Sequence, residues 1–227
     1  MTIVIPVRNG GPGEPETLRY ALRSIARNLP HETPVLFGYR PDWYLGEHRP
    51  TVQDKDKHGN IGINLLAAAA EFPTFTFWSD DCYVMKPAVP AVHAREESVD
   101  HLFDRCPTMP WKVTFGAQRD MLRQWGYDTN TLPCSDSHHP MLINSERLVE
   151  LVERVKATNP KHPLGAFKAL YGAGCDVEVS EDPKVMNPRR SINPDATYVS
   201  TCGATFFHGQ AGVEIRAAFP EPCQYER

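Results

Sequence analysis

The stretch that most constrains this chain is an apolar, aromatic run that ends in two adjacent carboxylates, residues 75–85 (FTFWSDDCYVM). The first part predicts a buried strand, and the apolar step after the acids predicts a return to the core. Open α/β sheets bind ligands at the carboxyl ends of their strands, so Asp80 and Asp81 are predicted to face a ligand there. Successive strand side chains point to opposite faces, so the two acids have different tasks only where the strand turns.

Carboxylate oxygens suit Mg²⁺ or Mn²⁺, which often bridge protein carboxylates to substrate phosphates. One of the two acids can therefore hold a divalent cation while the other binds a sugar hydroxyl or a ribose. The alternative is a surface turn after a core strand, with both carboxylates solvated.

Composition narrows the class of protein. A chain of 227 residues fits one domain, and no apolar run is long enough to cross a bilayer. The first residues (MTIVIP) lack the charged and apolar regions of a signal peptide. The six cysteines are dispersed and include no CxxC pair, which argues against a zinc knuckle or a disulfide scaffold. We therefore expect a cytoplasmic protein. The net charge of -4 gives no general attraction to nucleic acid.

The N-terminal region predicts a strand, a ligand-binding loop and a helix. A β-branched run at residues 2–6 leads into a glycine-rich loop at 7–13. Residues 16–28 then place apolar side chains at helical spacing. The loop is neither a GxGxxG fingerprint nor a Walker A sequence.

The next segments predict a second strand at 34–39 and a helix at 61–71, with Asn60 as its N-cap. Lys57 and Asn60 would then lie at a helix N-terminus, which favours anions such as phosphate. The alternative for Lys57 is a solvated charged loop.

The second half predicts mainly helices and short strands. Helices are expected at 96–106, 117–125, 145–157 and 163–171, and strands at 111–115, 176–180 and 204–207.

Titratable residues gather in three places of this half. Asp136, His138 and His139 precede an apolar run and are candidates for a general base, a metal ligand or an acceptor contact. Glu181 and Asp182 form a second acid pair that equally suits a turn at Asp-Pro. His208 follows a predicted strand and precedes glycines, so it is either a metal or phosphate ligand or an ordinary turn histidine.

Three segments resemble GT-A type glycosyltransferases, and in particular small phage-encoded and Stealth-like transferases. Residues 3–9 (IVIPVRN) are similar to the first strand and nucleotide-contacting loop of that fold, and residues 16–25 (ETLRYALRSI) to its LRY-LRSI helix. Residues 79–81 (SDD) occupy the place of the DXD motif, with Ser79 at its first position. The match is most specific over residues 1–85.

The resemblance implies an α/β fold, a single GT-A-like mixed sheet flanked by helices, with residues 1–227 as one domain. About 1–110 would be the nucleotide-sugar and metal half, and about 111–227 the acceptor half. The resemblance also implies a nucleotide-sugar donor, most simply a UDP-sugar, and Mn²⁺ or Mg²⁺ on its diphosphate.

Individual roles follow from the same resemblance. The nucleoside pocket would be lined by Pro6, Arg8 and Asn9. Asp80 would contact the ribose or sugar, while Asp81 and His208 would serve the metal. Asp182, in an element similar to the xED motif, would be the catalytic base, with Asp136 and His139 as competitors. Positive charge at the leaving diphosphate would come from the metal together with Lys57 or Arg8.

We therefore predict a metal-dependent glycosyltransferase that moves a sugar onto an acceptor hydroxyl. The resemblance suggests a hydroxymethylated pyrimidine in phage DNA, with a virion protein or a surface glycan as alternatives. A basic groove for DNA could draw on basic residues of the second half: Lys156, Lys161, Lys168, Lys184, Arg189 and Arg190. A sugar-phosphate transferase and a non-catalytic sugar-nucleotide binder are the other classes of function.

Overall fold

The computed structural model describes residues 1–8, 16–53, 56–106 and 109–227, and at positions 109 and 110 it describes the backbone alone. The strands are β1 (Thr2–Val7), β2 (Thr33–Gly38), β3 (Glu47–Arg49), β4 (Thr74–Phe77), β5 (Cys82–Val84), β6 (His93–Ser98), β7 (Pro133–Cys134), β8 (Met141–Asn144), β9 (Glu178–Val179), β10 (Lys184–Val185) and β11 (Tyr198–Thr201). The helices are α1 (Glu16–Asn28), α2 (Lys57–Glu71), α3 (Val99–Asp104), α4 (Met109–Gln124), α5 (Ser145–Thr158), α6 (Lys168–Gly172), α7 (Gly203–His208) and α8 (Gln210–Ala218).

The main sheet has the strand order β3-β2-β1-β4-β8. Its first four strands are parallel, and β8 joins β4 in the antiparallel direction. Helices α1 and α2 lead from one parallel strand toward the next, so the α/β class with a mixed sheet and flanking helices is confirmed. β2 lies on one side of β1 and β4 on the other, so the carboxyl ends of β1 and β4 form a topological switch point.

The centre of the sheet is buried on both faces. Ile3, Val4 and Ile5 of β1 have no exposed surface, which explains why the strand reads as a continuous apolar run. Helix α1 begins and ends at the predicted residues, and Leu18 and Leu22 on its apolar face are fully buried.

Two smaller sheets bring distant segments to the carboxyl end of β4. The first has the strand order β10-β11-β5. In it, Ser200 of β11 pairs with Cys82 of β5, which directly follows the acid pair, and Lys184 of β10 pairs with Ser200. In the order β7-β6-β9, β6 places Arg95 opposite Cys134.

The start of α2 differs from the prediction. Asp56 is the N-cap, and its Oδ1 accepts from the backbone N–H of Gly59 at 2.7 Å. Asn60 is therefore a buried residue inside the helix and not its cap. Asn60 lies four positions after this cap, where its backbone is already helical, so it cannot be the cap itself.

The strand predicted at 111–115 is wrong, because these residues belong to α4. Phe115, Gln118 and Leu122 are buried at helical spacing, and Trp111 stacks on Phe115 with ring centroids 5.0 Å apart. The bulky residues that favour a strand are here one face of a helix.

The strand predicted at 204–207 is also wrong, since α7 spans these residues. Oγ1 of Thr205 accepts from the backbone N–H of Cys202 at 2.9 Å, which caps the helix start. His208 therefore ends a helix rather than follows a strand. The helix predicted from residue 96 begins only at Val99, after β6, with Ser98 as its cap.

None of the helices within the described ranges combines the length and the apolar character needed to cross a membrane.

Candidate functional site

A cleft of about 480 Å³ opens at the switch point of the main sheet. We call it the switch-point cleft. Its floor comes from the carboxyl ends of β1 and β4, and the N-terminus of α2 forms one wall. The rest of the lining comes from α4 and the segments around 136–138 and 165–168. Predicted site residues that line the cleft are Pro6, Arg8, Lys57, Asn60, Asp80 and Asp136. Asn9 lies outside the described residues.

The acid pair lies in a turn directly after β4. The backbone N–H of Cys82 donates to the carbonyl of Ser79 at 3.1 Å, which closes the turn around both acids. Asp80 points into the switch-point cleft. Burial and, after it, the neighbouring Asp81 charge raise the pKa of its carboxyl to about 6, against an opposing effect of Lys57.

Asp81 is paired with a lysine from a distant strand. Nζ of Lys184 lies 2.9 Å from Oδ2 of Asp81, and it also donates to Oγ of Ser200 at 3.3 Å and to the carbonyl of Thr201. The side chains of Lys184 and Asp81 are 12% and 30% exposed, so the ion pair is largely removed from water. One carboxylate oxygen of Asp81, the predicted metal ligand, is thus already paired with the ammonium group of Lys184.

The predicted metal set does not come together in the described part of the chain. His208 is exposed at the end of α7 and lines none of the cavities described here. Over the described ranges, no group of three or more histidine, cysteine, aspartate or glutamate side chains is arranged to hold a metal ion. With the Asp81–Lys184 pair, these positions do not fit a metal centre built by the protein.

The segment before β8 carries Asp136 into the same cleft. Nε1 of Trp111 donates to Oδ2 of Asp136 at 3.2 Å, and Nε of Arg95 donates to its backbone carbonyl at 3.0 Å. Lys168 holds the following residues, because its Nζ donates to the carbonyls of Ser137 and His139 at 2.8 and 2.9 Å. The loop is therefore fixed from several sides.

His138 forms a close pair with Asp182. Nδ1 of His138 lies 3.2 and 3.1 Å from the two carboxylate oxygens, and its backbone N–H donates to Oδ1 at 2.8 Å. Nη2 of Arg95 lies 2.7 Å from Oδ2 of Asp182. Burial alone would raise the pKa of Asp182, but the hydrogen bonds and charge of His138 and the charge of Arg95 lower it to about 2. Asp182 is thus a permanent anion at neutral pH.

His139 lies in a different environment from His138. Its ring stacks on His93 with centroids 4.3 Å apart, and Oγ of Ser180 lies 3.5 Å from its Nε2. Burial and then the neighbouring His93 lower the pKa of His139 to about 3. It lines a separate cavity of about 540 Å³ and not the switch-point cleft. Of the two adjacent histidines, only His138 reaches the cleft.

A second, larger space adjoins the cleft. This central cavity has a volume of about 920 Å³, and Trp111, Asp136 and His138 line both spaces. Its cations are paired with carboxylates: Arg95 with Asp182, and Arg105 with Glu97. The three shared residues form the boundary between the two spaces.

Local sequence patterns do not identify several residues of the site. Trp111 falls in the predicted strand at 111–115, and Arg95 and Gln118 stand outside the predicted site residues. Helical spacing of Trp111, Phe115 and Gln118 is the signal that could have identified the α4 wall. Three cleft side chains carry buried polar atoms without a hydrogen-bond partner among the described residues: Oε1 of Gln53, Nδ1 of His58 and Oε1 of Gln118. Such groups commonly mark places where a ligand or water completes the bonding.

Comparisons with known proteins gave similarity at the level of structure. No protein-family model and no curated protein sequence matches the chain. The structure is similar to galactosyltransferase LgtC in complex with donor and acceptor sugar analogs, at 14% identity and a TM-score of 0.49 over 100% of this chain and 98% of that one.

Two further solved structures show comparable likeness. One is a glycosyltransferase involved in glycosylation of the major capsid of PBCV-1, at 12% identity and a TM-score of 0.43, covering 89% of this chain and 92% of that one. The other is mouse xyloside xylosyltransferase 1, at 13% identity and a TM-score of 0.42, covering 99% and 94%. All three are glycosyltransferases, the class that the sequence resembles.

Proposed function

We propose that the protein is a glycosyltransferase that binds a nucleotide-sugar in the switch-point cleft and transfers the sugar to an acceptor hydroxyl. The observation that supports this most is that cations and proton-accepting groups line the same cleft. Arg8 and Lys57 offer cations to the cleft, and Asp136 and His138 offer proton-accepting groups to the same cleft. Cations stabilise the leaving diphosphate, and a positioned base serves a direct displacement by the acceptor hydroxyl.

The positive wall suits the diphosphate. Breaking the bond between the sugar and the phosphate builds negative charge on the leaving group, and fixed cations stabilise that charge. Lys57 is the first residue of α2, so its ammonium adds to the partial positive charge of the helix N-terminus. In this proposal Pro6, Arg8 and Asn9 contact the nucleoside, and Asp80 accepts from a ribose or sugar hydroxyl.

Mn²⁺ or Mg²⁺ as a cofactor stays a prediction from the resemblance. Lys184 pairs with Asp81, and His208 lines none of the described cavities, so Arg8 and Lys57 neutralise the charge of the diphosphate in this proposal. A UDP-sugar is the donor that we propose to test first.

The acceptor stays open between the predicted classes: hydroxymethylated pyrimidine in phage DNA, a virion protein, or a surface glycan. Two lysines of the predicted DNA groove are engaged internally, since Lys168 holds the carbonyls of Ser137 and His139 and Lys184 holds Asp81. Lys156, Lys161, Arg189 and Arg190 are exposed and could still contact a nucleic acid backbone. Modification of DNA in the cytoplasm of a host cell is the setting that the resemblance implies.

Donor turnover tests the proposal directly. The purified protein is incubated with nucleoside diphosphate sugars, with and without Mn²⁺, and the released nucleotide is identified by chromatography. A glycosyltransferase with slow hydrolysis in the absence of acceptor releases nucleoside diphosphate. Release of nucleoside monophosphate would instead identify a sugar-phosphate transferase, and binding without release would identify a non-catalytic binder.

A further inference from the structure

A lysine ammonium lies in a cradle of oxygen atoms beside the acid pair. Nζ of Lys184 lies 2.9 Å from Oδ2 of Asp81 and 3.3 Å from Oγ of Ser200. It also donates to the backbone carbonyl of Thr201. An ammonium group has three N–H donors, so each donor of Lys184 has an acceptor of its own. Carboxylate and carbonyl oxygens are also the atoms that suit Mg²⁺ and Mn²⁺. Lys184 therefore occupies a position in which oxygen ligands surround a cation.

Strand pairing builds this cradle. β10 pairs with β11, which places Lys184 beside Ser200, and β11 pairs with β5 directly after the turn that carries the acids. The backbone N–H of Thr201 donates to the carbonyl of Asp81 at 3.0 Å. The same two strands thus hold Asp81 through its backbone and through its side chain. The ion pair is part of the three-stranded sheet and not a contact between two exposed side chains.

Two lysines act on the charge of the acid pair. Burial and the charge of Asp81 raise the pKa of the Asp80 carboxyl to about 6, and Lys57 and Lys184 act against that rise. Two ammonium groups therefore stabilise the ionised form of two carboxylates. A divalent cation is drawn to carboxylates by their negative charge, and here the two lysines already offset that charge.

The two acids also have different surroundings. Asp80 lines the switch-point cleft together with Arg8 and Lys57. Asp81 lines neither this cleft nor the other two cavities described above. A metal that bridges a protein carboxylate to a substrate diphosphate has to contact both. Asp81 is therefore not among the groups that surround the diphosphate in the proposed function.

We propose that sugar transfer by this protein needs no divalent cation, because the ammonium of Lys184 holds the cation position of Asp81. This inference rests on the proposed function, and it departs from the metal that the resemblance implies. Arg8 and Lys57 meet the negative charge that develops on the leaving diphosphate. Lys184 is a positioning residue: it neutralises Asp81 and fixes the turn from which Asp80 faces the cleft.

Metal binding at Asp81 is opposed in either of two arrangements. A metal that displaced Lys184 would remove its ammonium from three oxygen acceptors, although the side chain is only 12% exposed. A metal on the second oxygen of Asp81 would share one carboxylate with the ammonium, and like charges at that spacing repel each other. The ion pair therefore competes directly with the metal.

Chelation provides the first test. Protein passed over a chelating resin is assayed for release of nucleoside diphosphate from a panel of UDP-, GDP-, ADP- and dTDP-sugars, in EDTA and in Mn²⁺ or Mg²⁺. We expect the rates in EDTA and in metal to agree within about threefold. A larger loss in EDTA that Mn²⁺ reverses overturns the inference, and a reaction that needs a metal at the leaving group should slow by about a hundredfold. No release under any condition refutes the proposed function instead.

Binding of Mn²⁺ is measured apart from activity. Electron paramagnetic resonance titration, with and without UDP, compares the unsubstituted protein with Asp81→Asn. We expect the two dissociation constants for Mn²⁺ to agree within about threefold, because Lys184 and not a metal is the partner of Asp81. Weaker binding than that in Asp81→Asn would identify Asp81 as a metal ligand and overturn the inference, whether or not the protein releases nucleotide.

Rescue by a metal tests the role of Lys184 itself. Lys184→Met leaves Asp80 and Asp81 with one fewer cation, so we expect donor turnover in EDTA to fall by about tenfold or more and Mn²⁺ to restore most of it. The double variant with Asp81→Asn removes both charges of the pair and should not respond to Mn²⁺. Lys86→Met, which removes an exposed lysine, is the matched control and should behave as the unsubstituted protein. A loss in Lys184→Met that Mn²⁺ does not reverse, or no loss at all, overturns the role assigned to Lys184.

Discussion

At the scale of single residues, adjacent carboxylates in one turn have different environments. Asp80 lines the switch-point cleft, with burial and the charge of Asp81 raising its pKa to about 6. Asp81 instead pairs with Lys184, whose position depends on the pairing of β10 with β11. The sequence predicted two different tasks from the turn alone. It could not predict the lysine, because local sequence contains no information about a partner 103 positions away.

Replacing Lys184 tests whether its ammonium occupies the cation position of Asp81. In Lys184→Met the carboxylates of Asp80 and Asp81 lose a nearby positive charge, so we expect Mn²⁺ to bind more tightly, on the order of tenfold. Electron paramagnetic resonance titration of free Mn²⁺ measures the dissociation constant without reference to activity. Lys86→Met, which removes an exposed lysine paired with Asp195, is the control. Equal Mn²⁺ affinity in all three proteins would contradict the idea.

Asp182 should make stability depend on acid pH. Its folded pKa of about 2 lies below the ordinary value of 3.8, so ionisation favours the folded state. The contribution is present above the unfolded pKa and is lost as pH falls from about 3.8 toward 2; its full size is about 2 kcal/mol. In urea unfolding at pH 7, 4 and 3, Asp182→Asn should be less stable than the unsubstituted protein at pH 7. The difference in their free energies of unfolding should narrow on acidification. A gap that stays constant would show that the ionised form gains nothing from folding.

At the scale of elements, local periodicity predicted what local contacts determine. The bounds of α1 and the predicted start of α5 agree with the structure, because an amphipathic stripe acts within one or two turns. Short apolar runs were ambiguous, and residues 111–115 and 204–207 formed helices instead of strands. The adjacent histidines show the same limit: only the tertiary partner Asp182 distinguishes His138 from His139.

The C-terminal segment is tied to α1 by a buried carboxylate, which yields a prediction about stability. Glu226 has no exposed side-chain surface, and Arg23 contacts both its oxygens at 2.7 and 2.8 Å, with Arg19 at 3.1 Å. Burial opposes ionisation, but the hydrogen bond from Arg23 and the other donors outweigh it and lower the pKa. Glu226→Gln leaves two arginines without their anion, so we expect the free energy of unfolding to fall by roughly 3 kcal/mol at neutral pH.

Chemical unfolding measures that loss, with Glu221→Gln on the exposed part of the same segment as the control. Since the folded pKa of Glu226 lies below 4.5, the difference should be largest at neutral pH and shrink below about pH 4.5. A loss under about 0.5 kcal/mol would mean that the segment is held by its apolar contacts alone.

At the scale of the whole molecule, the predicted halves meet in the main sheet. β4 of the first half pairs with β8 of the second, and side chains of both line the switch-point cleft. Ligand groups at strand ends followed from the sequence, because apolar runs and the turns after them are local features, whereas the mixed sheet was implied by the resemblance. The central cavity did not, since its walls come from segments that meet only in the folded chain.

A ligand that contacts both walls should stabilise the whole molecule. If a nucleoside diphosphate binds the folded state in the switch-point cleft, a concentration of 100 times its dissociation constant adds about 2.7 kcal/mol to the free energy of unfolding. For a chain of this size that corresponds to a rise in Tm of roughly 5–10 °C. At the same concentration, the nucleoside without phosphates should give a much smaller rise in Tm, because it lacks the charge that Arg8 and Lys57 bind. Lys57→Met should reduce the shift for the diphosphate and leave that for the nucleoside unchanged. Equal shifts for both ligands, or a shift for the diphosphate that is unaffected by Lys57→Met, would place the phosphates outside this cleft.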